Sequence, residues 1–117
     1  VESSLIPRIA TGFGAGIGRS GETCGAVTGA VLGLGLKYGR DKVEPIQDRR
    51  PYWYATEFLE RFKREHGELT CPALLELDIA KPADYEEYNR RNLWVHKCTK
   101  YILGATGIAW DILNEEK

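Results

Sequence analysis

The run Cys24-Gly25-Ala26-Val27-Thr28-Gly29-Ala30-Val31-Leu32-Gly33-Leu34-Gly35-Leu36 decides how this chain folds. Its thirteen residues carry no charge, but a bilayer span takes about 20. The run therefore reads as a helix buried in a protein core. Its apolar residues lie nearly all round the helix rather than in one stripe, which places it at the centre of the fold. Ser20 offers an N-cap for a helix opening at Ser20 or Gly21, and Glu22 puts a carboxylate in the first turn, where it suits the helix dipole. Lys37 in the last turn and Gly39 as the C′ residue close the helix.

Immediately upstream, glycine occupies every second position of Gly12-Phe13-Gly14-Ala15-Gly16-Ile17-Gly18. No ordinary helix survives that density of glycine, so a loop or tight turn is expected. Before it, Leu5, Ile6, Ile9, Ala10 and Phe13 recur at helical spacing from Ser4 to Phe13, with Pro7 tolerated in the first turn. Downstream, residues 40–51 are polar, contain two prolines and show no period, as a connector does. Trp53, Ala55, Phe58, Leu59 and Phe62 then make an apolar stripe from Tyr52 to His66, which Gly67 ends. Thr70 caps a short helix from Cys71 to Leu77, with Pro72 in its first turn. Asp78 to Asp84 reads as a loop, and Tyr85 to Arg91 as a polar segment before a cap or bend at Asn92. The last helix runs from Leu93 to about Asn114, with Val95, Cys98, Tyr101, Ile102, Ala105, Ile108, Ala109 and Ile112 inward. No strand-like alternation and no internal repeat occurs. The expected fold is all-α: one domain over residues 1–117, a bundle of four to five helices with a glycine-rich turn before the central one.

Sixteen basic and seventeen acidic side chains leave a net charge of -1. Nothing electrostatic therefore points to nucleic acid or an anionic membrane as a partner. Arg49-Arg50 and Arg90-Arg91 stand beside acidic residues and read as solvated helix ends. No secretory signal opens the sequence at Val1, so a cytoplasmic location is expected. The three cysteines are an odd number, which leaves at least one outside any disulfide within the chain. They are also too few for a secreted disulfide scaffold. Methionine is absent, so an upstream segment holding the translational start is expected.

The cysteines share a placement: Cys24 in the first turn of the central helix, Cys71 at the start of the short helix, Cys98 early in the last. Helix N-termini present free N–H groups and partial positive charge, which favour thiolate over thiol. Such thiols suit metal ligation or thiol redox chemistry; the plainer account is that free cysteines are small buried hydrophobes. Gly25, Gly29 and Gly33 line one face of the central helix, where they allow either close helix packing or room for a cofactor. The Gly12 to Gly18 run lacks the preceding strand of a dinucleotide-binding turn; beside a thiolate it could instead offer N–H groups to an anion or cluster. His66 and His96 read as structural. No CxxC, CxxCH or HExxH occurs, which argues against a zinc finger, covalent haem and a zincin protease.

Cys24-Gly25-Ala26-Val27-Thr28-Gly29 resembles the signature that names the C_GCAxxG_C_C family of redox-active proteins. The likeness extends to Gly12-Phe13-Gly14-Ala15-Gly16 as the glycine turn and to Leu34 through Gly39 as the helix end. Phe58, Phe62, Gly67, Cys71, Leu74, Leu75 and Asp78 resemble the second cysteine block, and Cys98 the last cysteine. The family pattern has a further cysteine upstream of the turn, which these residues lack. The resemblance implies a redox role, with an iron–sulfur cluster as the attractive cofactor.

Three functions follow as expectations. In the first, Cys24, Cys71 and Cys98 are thiolate ligands of an iron–sulfur or other metal site for electron transfer, with Gly25 and Gly29 beside the cofactor and an unnamed redox protein as partner. The fourth ligand would come from the upstream cysteine, a histidine or a partner subunit. In the second, a pair such as Cys24 and Cys71 cycles between dithiol and disulfide without metal, these two being the catalytic residues. In the third, the domain is a structural or interaction module, and its glycine-lined helix faces pair two copies into a homodimer. The first two require the three cysteines to converge on one locus against the glycine turn.

Overall fold

A computed structural model describes residues 2–43 and 50–115 of the protein. Residues 44–49 of the expected connector, and Arg49 with them, lie outside the described residues. The right-handed helices are α1 (Leu5–Ala10), α2 (Gly25–Tyr38), α3 (Arg50–His66), α4 (Cys71–Leu75), α5 (Pro82–Arg90) and α6 (Thr99–Asn114). Among the described residues the only strand-like pairing is one antiparallel bridge, Thr23 with Thr70. The all-α expectation holds.

The fold is built on α2, α3 and α6, which pack against one another. From α3 come Tyr54, Phe58 and Phe62, spaced four apart and therefore stacked along one face. From α6 come Tyr101, Ala105, Ile108, Ala109 and Ile112, and from α2 Val27 and Leu34. Phe58, Phe62 and Ile112 have no exposed surface at all. Full burial of such side chains contributes about 1.5–3 kcal/mol each, which makes this three-helix seam the main source of stability. Trp53, expected on the buried stripe, is 66% exposed. Tyr54 takes its place because its ring stacks on Tyr38 at the end of α2, with centroids 4.0 Å apart. The far end of the seam is pinned by the Lys37 ammonium donating to the Leu113 carbonyl at 2.6 Å and by the Arg61 guanidinium on Glu115 at 2.8 and 2.9 Å.

Two segments depart from the sequence reading. Pro82–Arg90 is helical where a loop and a polar segment are expected. Its start carries ordinary helix signals, a proline in the first positions and Asp84 in the first turn. The last helix does not run as one α-helix from Leu93. Residues Trp94–Cys98 form a π-turn, and α6 follows from Thr99. The wider turn shifts the register by about one residue. Val95, expected to face inward, is accordingly 53% exposed. Ile102 is also largely exposed, whereas Leu93 is buried.

A second, smaller buried cluster gathers Cys71, Leu75, Ile79 and Leu93, with Ala15, Tyr85, Tyr88 and Cys98 packed against it. This cluster adjoins the glycine-rich segment, and it holds two of the three cysteines.

Candidate functional site: three thiols on one cavity

The glycine-rich segment is not an irregular loop. Ala15, Gly16, Ile17, Gly18 and Arg19 all have positive φ, between 57 and 71°. Five such residues in succession make a left-handed helical turn. Glycine accepts this backbone freely, but each residue with a side chain costs on the order of 1–2 kcal/mol there. Ile17, branched at Cβ, is the most strained of the three. The turn is held by the Glu22 N–H donating to the Gly16 carbonyl at 2.9 Å and by the Ser20 N–H donating to the Ile17 carbonyl at 3.1 Å. The Ser20 hydroxyl also donates to the Ile17 carbonyl, at 2.5 Å. Ser20 thus closes the left-handed turn instead of capping α2, which begins four residues later than expected, with Cys24 in the N-cap position.

The end of this turn runs alongside the entry to α4. The Cys24 N–H donates to the Leu69 carbonyl at 2.8 Å, and the Cys71 N–H donates to the Glu22 carbonyl at 2.9 Å. These two bonds flank the Thr23–Thr70 pair and set Cys24 and Cys71 diagonally across it. Diagonal neighbours in an antiparallel pair stand about 7–8 Å apart. Thr70 caps α4 as expected, its hydroxyl accepting from the Ala73 N–H at 3.4 Å. Gly16 backs directly onto Cys71: a Cβ placed there would lie 2.8 Å from the Cys71 Cβ and 2.9 Å from the Glu22 carbonyl oxygen.

Cys98 arrives from the π-turn. Cys24, Cys71 and Cys98 all line a single cavity of about 570 Å³. Gly14, Ala15 and Gly16 of the left-handed turn line it too, as do Gly25, Gly29 and Gly33 of α2. These last three glycines serve different ends. Gly25 packs tightly, its Cβ position being 3.3 Å from the Phe13 carbonyl oxygen. The Cβ positions of Gly29 and Gly33 meet nothing within 4 Å. Each glycine costs about 1 kcal/mol in a helix interior relative to alanine. At Gly29 and Gly33 no neighbour requires that cost, and its effect is to keep the cavity wide.

A family model described as "Putative redox-active protein (C_GCAxxG_C_C)" matches residues 1–112. The chain belongs to this family. No curated protein and no solved structure gives a match. In this C_GCAxxG_C_C protein the thiols stand at helix starts, but the electrostatic outcome differs from the simple helix-terminus argument. Burial pushes the Cys24 thiol up, against the downward pull of the Ala26 and Val27 N–H groups. Burial pushes Cys71 up to about 11, and the negative charge of Cys24, Cys98 and Asp78 adds to the rise. Desolvation outweighs the helix dipole because the thiols face an apolar wall.

Among the described residues, no three histidine, cysteine or carboxylate side chains are grouped to hold one metal ion. The thiols share the cavity without crowding onto a single point. The two histidines stand apart from it. His96 is exposed. The His66 side chain is buried between Phe62 and Tyr101, with ring centroids at 4.5 and 5.3 Å. Its Nε2 makes no hydrogen bond and presses against Gly104. Its role is packing.

Tyr88 is the site residue that sequence reasoning did not single out. Its hydroxyl and the Cys98 sulfur share a hydrogen bond at 3.5 Å, and it lines the cavity. Burial, followed by the Cys98 hydrogen bond and charge, raises its hydroxyl well above the ordinary range. Tyr85 stacks beside it, with centroids 6.1 Å apart, and Arg19 lies 4.2 Å over the Tyr85 ring and donates to its hydroxyl. The left-handed turn is thereby tied to the third cysteine through two tyrosines. Their spacing of three on one helix face was visible in the sequence; the partner of that face was not.

Among the described residues no helix is long and apolar enough to cross a membrane.

Proposed function

We propose that Cys24, Cys71 and Cys98 act together as the thiolate ligands of an iron–sulfur cluster, and that the protein is an electron-transfer component. The observation that carries this reading is the position of all three cysteines on one cavity, along whose wall the described residues place no acidic, basic or histidine side chain. Thiolates are the usual ligands of such clusters. The negative charge of each thiolate works against the others, as the upward push of Cys24 and Cys98 on Cys71 illustrates. A positive centre among them removes that conflict, since a metal-coordinated thiol is deprotonated outright. Among the described residues no three such side chains are grouped for a single ion, whereas the ligands of a four-iron cluster each sit on their own iron and stand further apart.

When bound, such a cluster supplies one-electron chemistry. This chain's own residues would hold and shield it. The Tyr88 hydroxyl, which shares a hydrogen bond with the Cys98 sulfur, would donate to that sulfur once it is a thiolate and steady it. Leu75 and Ile79 keep water from the thiols. Three cysteines provide three ligands, and the fourth is left to a group beyond them.

A second reading, a metal-free Cys24–Cys71 couple, is favoured by the Thr23–Thr70 bridge, which holds the two cysteines in register. Their diagonal placement puts them near the limit of about 7 Å between Cα atoms that a disulfide tolerates. Anaerobic purification, visible absorbance and iron and sulfide analysis test the choice. A brown protein that loses its colour in Cys71→Ser supports the cluster. A protein that stays colourless and iron-free after reconstitution with iron and sulfide sinks it. A Cys24–Cys71 disulfide in peptide mass spectra of that colourless protein establishes the second reading.

A further inference from the structure

We infer that the cavity beside the thiols is a binding site for a neutral, flat, conjugated organic molecule bearing carbonyl acceptors, of the quinone class. The inference goes beyond the cluster proposal and does not depend on it. At about 570 Å³ the space has the size of a small-molecule pocket rather than a packing defect, such pockets running from about 300 to 1,000 Å³. Two kinds of surface line it. Gly29 and Gly33 leave the α2 backbone bare, with nothing within 4 Å of either Cβ position. Trp94 and Trp110, 56 and 66% exposed, also line it. A flat ring suits a bare helix face and aromatic side chains, where stacking and apolar burial act together.

The polar chemistry of the lining selects the ligand further. Among the described residues, no aspartate, glutamate, lysine, arginine or histidine lines the cavity. A charged ligand would lose its water there without finding a counter-ion. Thr11 and Thr106 line it, but their hydroxyls already donate within their own helices, to the carbonyls of Pro7 and Ile102. The Tyr88 hydroxyl is shared with the Cys98 sulfur, so the remaining side-chain donors are the indole N–H groups of Trp94 and Trp110, with the cysteine thiols as well where no metal takes their protons. A ligand that satisfies this wall is uncharged, accepts hydrogen bonds at its rim and has apolar faces. A quinone ring has that distribution.

The test uses duroquinone, whose fully substituted ring blocks direct addition of thiols, and chloranilate, a ring of the same size that is dianionic at neutral pH. Isothermal titration of the whole protein is expected to give saturable binding of duroquinone and none of chloranilate. The double variant Gly29→Leu/Gly33→Leu fills the cavity from the helix side and is expected to weaken duroquinone by about tenfold or more. Gly107→Leu, an exposed glycine on α6 outside the cavity with open space at its Cβ, serves as the control and is expected to bind as the parent does. Trp110→Ala changes an exposed side chain that the fold does not need, so its expected loss of affinity is measured on a folded protein whatever the leucine variants do. Absence of saturable duroquinone binding, or equal binding by the parent and both cavity variants, overturns the inference. Equal binding of chloranilate overturns the neutral class. None of these outcomes bears on whether the thiols hold a cluster, which iron analysis reads separately.

Discussion

Replacing Gly16 by alanine measures how far the thiol arrangement depends on one missing methyl group. Two costs add. Gly16 has a φ of +71°, so a side chain there costs about 1–2 kcal/mol in backbone conformation. The new Cβ would also stand 2.8 Å from the Cys71 Cβ and 2.9 and 3.0 Å from the Glu22 carbonyl oxygen and nitrogen. Those Glu22 atoms are backbone, held by the hydrogen bonds that link Gly16, Glu22 and Cys71, and cannot rotate away. Overpacking of this kind costs about 1–3 kcal/mol. Gly16→Ala is therefore expected to destabilise by about 2–5 kcal/mol. Gly18→Ala separates the two costs, because Gly18 has a φ of +61° with nothing within 4 Å of its Cβ position. Only the conformational cost remains there, less about 0.4–1 kcal/mol from the stiffer unfolded chain. Urea unfolding followed by far-UV circular dichroism gives both values. Alkylation of Cys71, followed by mass spectrometry, is expected to speed up in Gly16→Ala alone. Stabilities of the two variants within about 0.5 kcal/mol of each other, the ordinary scatter of such comparisons, would refute the steric account of the turn.

Ile17 is a β-branched residue at a φ of +61° and 41% exposed, so Ile17→Gly is expected to stabilise the protein by about 1 kcal/mol and raise its melting temperature. Gly104→Ala drives a Cβ into the His66 ring, 2.8 Å from Cε1, and is expected to cost about 1–3 kcal/mol in urea unfolding; a His66→Ala background is expected to remove most of that cost. The Cys71 thiol titrates at about 11 in the fold against 9.0 when free, so the folded state keeps its proton longer than the unfolded chain does. Stability is therefore expected to be full below about pH 9 and to fall by on the order of 2 kcal/mol as the pH rises to about 11, a slope that Cys71→Ala flattens in urea midpoints taken across that range.

Much of this fold was readable because its signals are local and repeat. The apolar run from Cys24 to Leu36, the spacing of Phe58 and Phe62, the Thr70 cap and the glycine that ends α3 each follow from one stretch of chain. The candidate site was readable only as a set of residue types. That Cys24, Cys71 and Cys98 meet depends on a two-bond bridge and a π-turn, which no periodicity announces. The left-handed turn was readable as a break in helix but not as a helix of opposite hand, since alternate glycines permit many backbones and only the Gly16–Glu22 bond selects one. The thiol electrostatics were misjudged for a similar reason. Helix-start placement is visible in the sequence, whereas burial of Cys71 by Ile79 and Leu93, from other parts of the chain, is not.

Several of the costs in this molecule fall close together. Three residues with side chains hold left-handed backbone at the turn, and Gly29 and Gly33 face empty space, as Gly35 and Gly107 do elsewhere. A π-turn interrupts the entry to α6, and two thiols lie where charging them is unfavourable. Ala15, Gly29 and Gly33, Trp94 and Cys98 of the π-turn and the two thiols border the same cavity, whereas Ile17 and Arg19 do not line it. Away from it, the seam of Phe58, Phe62 and Ile112 is closely packed and regular. A module whose cysteines were incidental would give no reason for left-handed backbone, missing side chains and three thiols to gather at one cavity. Their gathering there supports the proposed ligand site: the regular seam carries the stability, and the cavity wall is free to depart from it.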